Sequence, residues 1–251
     1  MDPPALIAAL QQDGAALARA AETAPDVDIP SCPGWDMAAL VGHTGSVHRW
    51  AAAIVGRRER VSRRDLPPPP DGHDERLAWF RAGVDELGAV LAAQDPEAEA
   101  WTFGSSGEHR VWWWCRRQAA ETATHRWDAE NAATVAGVGA PPDDVGAEVA
   151  VAGIEEYLTD FLPGVVEREG LDLHGSLHLH TTDPGVDGEW LVDLAARPVT
   201  SRRQHVQADT AIRGPVSDLL LWLWNRLPGG GARLEVFGSA DPIMAWPRLR
   251  L

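Results

Sequence analysis

The run Glu121-Thr122-Ala123-Thr124-His125-Arg126-Trp127-Asp128 lies within a stretch from about Val111 to Ala133 that reads as one helix, entered from the loop Gly104-Ser105-Ser106-Gly107. At roughly 100° per residue, Glu121 and His125 stand about 40° apart around the axis, so a carboxylate and an imidazole reach one point off the same face. Extended in both directions, that face carries Trp114, Gln118, Glu121, His125 and Asp128. A helix with such a face needs partners, and the sequence upstream supplies three. Leu6, Leu10 and Leu17 recur at helical spacing in a segment ending near Thr23. Asp36 is a good N-cap for a helix reaching about Gly56. Leu77, Phe80, Val84, Leu87 and Leu91 form one stripe at intervals of three and four. Between the last two, Pro67 to Pro70 cannot be helical and mark a long extended crossover. Four amphipathic helices with one long connection predict a helix bundle.

Downstream, a fifth helical stretch from Val145 to about Glu167 carries Val149, Ile154, Tyr157, Leu158 and Phe161. Beyond Gly170 the period changes from helical to two. Leu177, Leu179 and Thr181 alternate with His178 and His180, and Trp190, Val192 and Leu194 alternate after the turn Asp183-Pro184-Gly185. Further short strands are expected over Val199 to Gln207, Ala211 to Gly214 and Arg233 to Phe237, with a helix from Pro215 to Arg226. The expected class is α+β, with a bundle over residues 1–168 and a smaller α+β domain over 169–251.

Composition narrows the function classes. In 251 residues the net charge is -15, which disfavours a polyanion partner because phosphate binding needs a basic face. Nucleic acid is therefore not an expected ligand. All 22 basic residues are Arg, so no Schiff-base or P-loop lysine mechanism is available to this chain. The longest apolar run, Leu219 to Trp224, stops at Asn225 and Arg226, well short of the roughly 20 residues a membrane helix needs. Without a secretory pattern after Met1-Asp2-Pro3-Pro4, a soluble cytoplasmic chain is the expectation. Cys32 and Cys115 are too few and too far apart for a disulfide framework and read as reduced thiols. Cys115, with no identified activating partner, reads as a small buried thiol.

On the second helix, His43 shares its face with Leu40, Val47, Trp50 and Ile54, which directs it toward the bundle core. Two histidines and a carboxylate from facing helices would suit a divalent metal with open positions left for water or substrate. Spacing alone leaves the ordinary alternatives standing: a polar pair on a helix, and a hydrogen-bonded core histidine. His48, about 140° from His43, should not join the same site. His178 and His180 share a strand face and with His174 would make a second metal cluster, but the polar face of a half-buried strand is the simpler reading. Trp114, on the face of Glu121, is a candidate wall for a substrate or thiol pocket.

Three segments carry a family resemblance. Cys32-Pro33-Gly34-Trp35, Leu40-Val41-Gly42-His43 and Glu121 to Asp128 resemble the mycothiol-dependent maleylpyruvate isomerase family, within the DinB-like superfamily of metal-binding helix bundles. The resemblance implies that His43, Glu121 and His125 are the metal ligands, with zinc the expected metal. It also implies a C-terminal α+β domain similar to sterol-carrier folds, whose helix is Gly214 to Arg226, with Arg226 at the position implicated in activity. The family's usual glycine before that arginine is Asn225 here, and a helix C-terminal arginine favoured by the macrodipole is the competing reading of Arg226.

The implied chemistry is a thiol ionised by a divalent metal and attacking a small electrophile, with mycothiol as cosubstrate. Cis-trans isomerisation of a maleylpyruvate-type substrate and S-transfer share that first step. Two other readings stay open: a non-catalytic binding protein for a small apolar ligand, and a metal-dependent hydrolase of a thiol conjugate. The sequence carries no signature of oligomeric state.

Overall fold

The computed structural model describes residues 2–227 and 231–249, and its elements follow the α+β order expected from the sequence. The helices α1 (Pro3–Thr23), α2 (Met37–Arg57), α3 (His73–Ala92) and α4 (Val111–Val135) come first. Asp2 and Asp36 cap α1 and α2 by accepting from the backbone N–H of Ala5 and Ala39 at 2.9 and 2.7 Å. Then follow α5 (Ala147–Glu156), a π turn (Tyr157–Phe161), α6 (Leu162–Glu169) and the strands β1 (Ser176–Thr181), β2 (Glu189–Asp193), β3 (Thr200–Arg203) and β4 (Thr210–Gly214). The described part closes with α7 (Val216–Leu223), β5 (Glu235–Gly238), α8 (Asp241–Ala245) and a 3-10 turn (Trp246–Arg248). No helix among the described residues is long and apolar enough to cross a membrane.

Two compact units emerge: Met1–Thr102 with Glu108–Val149, and Phe103–Gly107 with Ala150–Leu251. The boundary expected at residue 168 thus falls inside the second unit. The physical reason lies at Pro163, whose ring would clash with the carbonyl of Thr159 in a regular helix, so the single helix expected over 145–167 is broken by the π turn. The carbonyls this frees on Thr159 and Asp160 accept from the Ser105 hydroxyl at 3.0 and 2.9 Å. The Asp160 carboxylate in turn accepts from the Ser106 N–H at 3.0 Å. Backbone that lost its helical partners is satisfied by the 103–107 loop, which ties that loop to the second unit.

In the first unit, α4 packs on α1 and α2, and α3 packs on the same two helices, closing a four-helix ring. The stripes read from the sequence are buried: Leu6, Leu10 and Leu17, then Leu40 and Ile54, then Leu77 to Leu91. A side chain at Gly14 would meet Val84 at 2.8 Å, so α1 and α3 approach closely there. Helix α4 is buried nearly all round despite Arg116, Arg117, Gln118, Thr122, His125, Arg126 and Asp128. Buried polar groups of this kind must be paired. Arg126, for example, donates to Asp13, Glu130 and the carbonyls of Asp143 and Asp144.

The histidine in the bundle core is His48, not His43. The ring of His48 is fully buried, stacks on Phe80 at 5.6 Å and bonds Thr122 at 2.9 Å. Thr122 spends its own proton on the carbonyl of Gln118, so Nε2 of His48 is the donor and the ring is neutral. Burial pushes its pKa down to about 3. His43 is instead partly exposed at the edge of the core.

The second unit is built on a mixed five-stranded sheet in the order β3-β2-β1-β4-β5, with β1 and β4 parallel and the other pairs antiparallel. Register places Leu177 opposite Val192 and Leu179 opposite both Trp190 and Ile212, giving one wholly buried apolar face. Helix α7, buried along its length, lies against β1 and β4.

Candidate metal centre

α2 and α4 are neighbours in the ring, and they bring His43, Glu121 and His125 together. One carboxylate oxygen, Oε1 of Glu121, stands 3.4 Å from Nε2 of His43 and 3.4 Å from Nε2 of His125. Donors bound to zinc at about 2.0–2.2 Å in a tetrahedral site are roughly 3.3–3.5 Å from one another, so this spacing fits a shared cation. The second oxygen, Oε2, is taken by Arg117 one turn away on α4. The carboxylate is thus divided into one face toward the imidazoles and one toward a fixed guanidinium.

The electrostatics agree with that division. Burial opposes ionisation of Glu121, but Arg117 and the neighbouring His125 overcome it and hold the carboxyl well below its ordinary range. Burial likewise opposes charge on His125, and Glu121 and Asp128 outweigh it, raising its pKa. Asp128 is fully buried and accepts from Nδ1 of His125 at 2.9 Å, which turns Nε2 toward Glu121. It also accepts from the Ser31 hydroxyl at 2.5 Å and the Cys32 thiol at 3.6 Å. The Cys-Pro-Gly-Trp segment therefore serves the site twice, because Trp35 also packs on both rings, 4.7 Å from His43 and 6.0 Å from His125 between centroids. The imidazoles themselves lie 5.3 Å apart, edge to face.

A cleft of about 350 Å³ reaches His43 and is bordered by Gly42, Ser46, Pro69, Arg63, Arg76 and the acidic Asp71. The four-proline crossover thus forms one wall of it. Trp114 is elsewhere: fully buried, it packs edge to face on Trp50 and Trp113 and donates its indole N–H to the carbonyl of Trp101 at 2.8 Å. Cys115 is buried, and burial pushes its thiol up to about 11, in keeping with an inert side chain.

Arg226 belongs to the second unit, at the end of α7. There the N–H of Arg226 bonds the carbonyl of Leu221 and that of Asn225 bonds Trp222, a Schellman closure. Asn225 sits in the left-handed region at φ 58°, the conformation for which glycine is otherwise used and which asparagine tolerates. The departure at Asn225 therefore leaves the backbone of the motif intact.

The family resemblance pointed to these three donors, and Asp128 stood on the helix face of Glu121 and His125. The roles of Ser31, Cys32 and Arg117 were not legible. Arg117 had a signal in its four-residue spacing to Glu121, whereas Ser31 and Cys32 meet Asp128 from 97 and 96 residues away.

Comparison with known proteins bears on both units. The family model for the mycothiol maleylpyruvate isomerase N-terminal domain matches residues 6–130, and that for the MDMPI C-terminal domain matches residues 148–241. A crystal structure of the mycothiol-dependent maleylpyruvate isomerase is similar at a TM-score of 0.57 and 12% identity, covering 94% of this chain and 93% of that one. A histidine-to-alanine mutant of the same enzyme gives 0.56 at 12% identity over the same shares. At that identity the likeness is one of fold. No curated protein matches the chain.

Proposed function

Because the chain belongs to the mycothiol maleylpyruvate isomerase family through both of its domains, we propose that it is a metal-dependent enzyme using mycothiol to isomerise a small unsaturated acid of the maleylpyruvate type. The observation that carries this reading is the single Glu121 oxygen placed 3.4 Å from an Nε2 of each of two histidines. When bound there, a divalent cation of the zinc class supplies the positive charge that ionises a thiol at neutral pH.

The residues of the chain divide the remaining work. His43, His125 and Glu121 hold the cation, Asp128 fixes the tautomer of His125, and Arg117 keeps Glu121 ionised. Trp35 covers the two rings and limits water on that side. The cleft beside His43 offers Arg63 and Arg76 to an anionic ligand. With no lysine in the chain, Cys115 inert and the Cys32 thiol engaged with Asp128, the nucleophile is assigned to an external thiol. Its thiolate adds to the conjugated cis double bond and pushes the electron pair onto the carbonyl as an enolate, the carbon–carbon bond turns while it is single, and collapse of the enolate expels the same thiolate and leaves the trans isomer. Arg226 is proposed to bind a substrate carboxylate. The Arg226 role is tested by Arg226→Ala, with a rise in KM for the acid as the expected result.

The direct test supplies purified protein with zinc, mycothiol and a maleylpyruvate-type substrate. Trans product formed only with both thiol and metal is the expected result. A retained thiol conjugate would make the enzyme an S-transferase, and free thiol released from a supplied conjugate would make it a hydrolase. An unaltered apolar ligand that co-purifies with inactive, metal-free protein would favour a binding protein.

A further inference from the structure

The sheet of the second unit carries another group of nitrogen and oxygen donors. Strand alternation puts His178 and His180 on one face of β1, and the antiparallel register sets Glu189 of β2 directly opposite His180. Past the end of β3, His205 meets the same carboxylate. Glu189 contacts Nδ1 of His180 through one oxygen and Nδ1 of His205 through the other, both at 2.7 Å. The three ring centroids are 5.7, 5.9 and 6.0 Å apart, close to an equilateral triangle. One donor atom from each of the four residues lies within 4.8 Å of the others. His178 is buried and its Nε2 has no hydrogen-bond partner, an arrangement that costs free energy unless something occupies that nitrogen. His174 does not take part; it faces Asp172 instead.

We propose that His178, His180, His205 and Glu189 form a second divalent-cation site, separate in its residues from that of His43, Glu121 and His125, and suited to a transition ion of the zinc class. The donor set decides the class: three imidazoles and one carboxylate suit zinc, cobalt or nickel, whereas magnesium and calcium take oxygen ligands. Rings bound to one ion through a nitrogen at about 2.0–2.1 Å have centroids roughly 5–6 Å apart, so the observed triangle needs only a small contraction. Glu189 already draws the rings of His180 and His205 together through their Nδ1 atoms, and a cation bound among the four donors would replace those two hydrogen bonds. His205 is 76% exposed, so the ion has a path in from solvent. Bound, it would join β1, β2 and the segment after β3, and act as a staple for the sheet.

The test is cobalt and zinc titration of the full-length, metal-stripped protein, read by bound equivalents and by thermal unfolding. Two equivalents are expected for the unaltered chain and for neither single-site variant: His205→Ala should lose one, and Glu121→Ala should lose the other. His205 stands on an exposed segment outside the strands, so its replacement leaves the fold in place. His180→Ala provides an independent removal of a donor. Zinc should raise the unfolding temperature of Glu121→Ala protein, and this rise should vanish when His205→Ala is added. If His205→Ala and His180→Ala both retain every equivalent of the unaltered chain, or if Glu121→Ala binds no ion at all, the second site does not exist. Loss of an equivalent in His205→Ala but not in Glu121→Ala would instead overturn the bundle site and leave this one standing.

Discussion

The chain holds two histidine–carboxylate clusters of nearly the same chemistry, built by opposite means. In the bundle, two of the proposed ligands sit four residues apart on one helix, and their carboxylate is backed by a buried guanidinium. On the sheet, the donors come from two strands and a trailing segment, and the carboxylate is spent entirely on imidazoles. The first arrangement holds Glu121 ionised whether or not a cation is present, because Arg117 fills one side of it. The second has no such fixed positive charge on Glu189 in its described contacts, and its exposed His205 makes it an exchangeable site. On the proposed reading of both clusters, support around the donors, more than the donors themselves, separates the centre assigned to chemistry from the one assigned to binding.

Breaking the bundle cluster should have the largest effect. Glu121→Ala is expected to lower mycothiol-dependent turnover by roughly 10³-fold, since several kcal/mol of charge stabilisation leave with the cation. His180→Ala, in contrast, should leave turnover within about twofold, because its described partner Glu189 is not among those of the bundle cluster. Comparable losses in both variants would erase the distinction between the clusters; steady-state kinetics with saturating zinc checks it.

A finer test concerns the supporting carboxylates. Asp128→Asn keeps the shape around His125 but weakens the hold on its tautomer, and metal affinity at the bundle site should fall about 10–100-fold in competition titrations. The sheet cluster, which does not use Asp128, should keep its affinity in the same protein.

Acid should also separate the regions. His48 titrates at about 3 in the folded bundle against an ordinary 6.5, so the unfolded chain binds a proton that the folded one refuses. Its contribution to stability is therefore full above 6.5 and is lost as the pH falls toward 3, at up to about 1.4 kcal/mol per pH unit. Urea unfolding at pH 7 and pH 5 should show this loss, and His48→Phe should flatten it. The smallest effect belongs to the second unit: Asn225→Ala removes the side-chain amide that makes a left-handed position tolerable and that donates to the carbonyl of Leu249 at 2.9 Å, at a cost of about 1 kcal/mol, with metal binding untouched. Chemical denaturation reads that cost directly.

What could be read in advance follows the same division. The helices were legible because Leu77, Phe80, Val84, Leu87 and Leu91 repeat with the helical period, and Glu121 with His125 inherits that period. The broken helix at Tyr157–Phe161 was not, since Pro163 signals a disturbance without saying that Ser105, 54 residues earlier, will absorb it. His43 was assigned the core place that His48 occupies, because a stripe on a helix does not state how deep each member lies. On the sheet, alternation paired His178 with His180 correctly. Only strand register could add Glu189, and His205 lies past the end of β3, beyond any period. Long-range pairing is where a single sequence carries least information.

The central claim is that His43, Glu121 and His125 present a cation to a thiol. It is tested most directly by adding mycothiol to the cobalt-loaded protein and following the near-ultraviolet spectrum. The account predicts a new sulfur-to-cobalt charge-transfer band that is absent in Glu121→Ala protein and persists in His205→Ala protein. No band with the unaltered chain, or a band that survives Glu121→Ala, would contradict it.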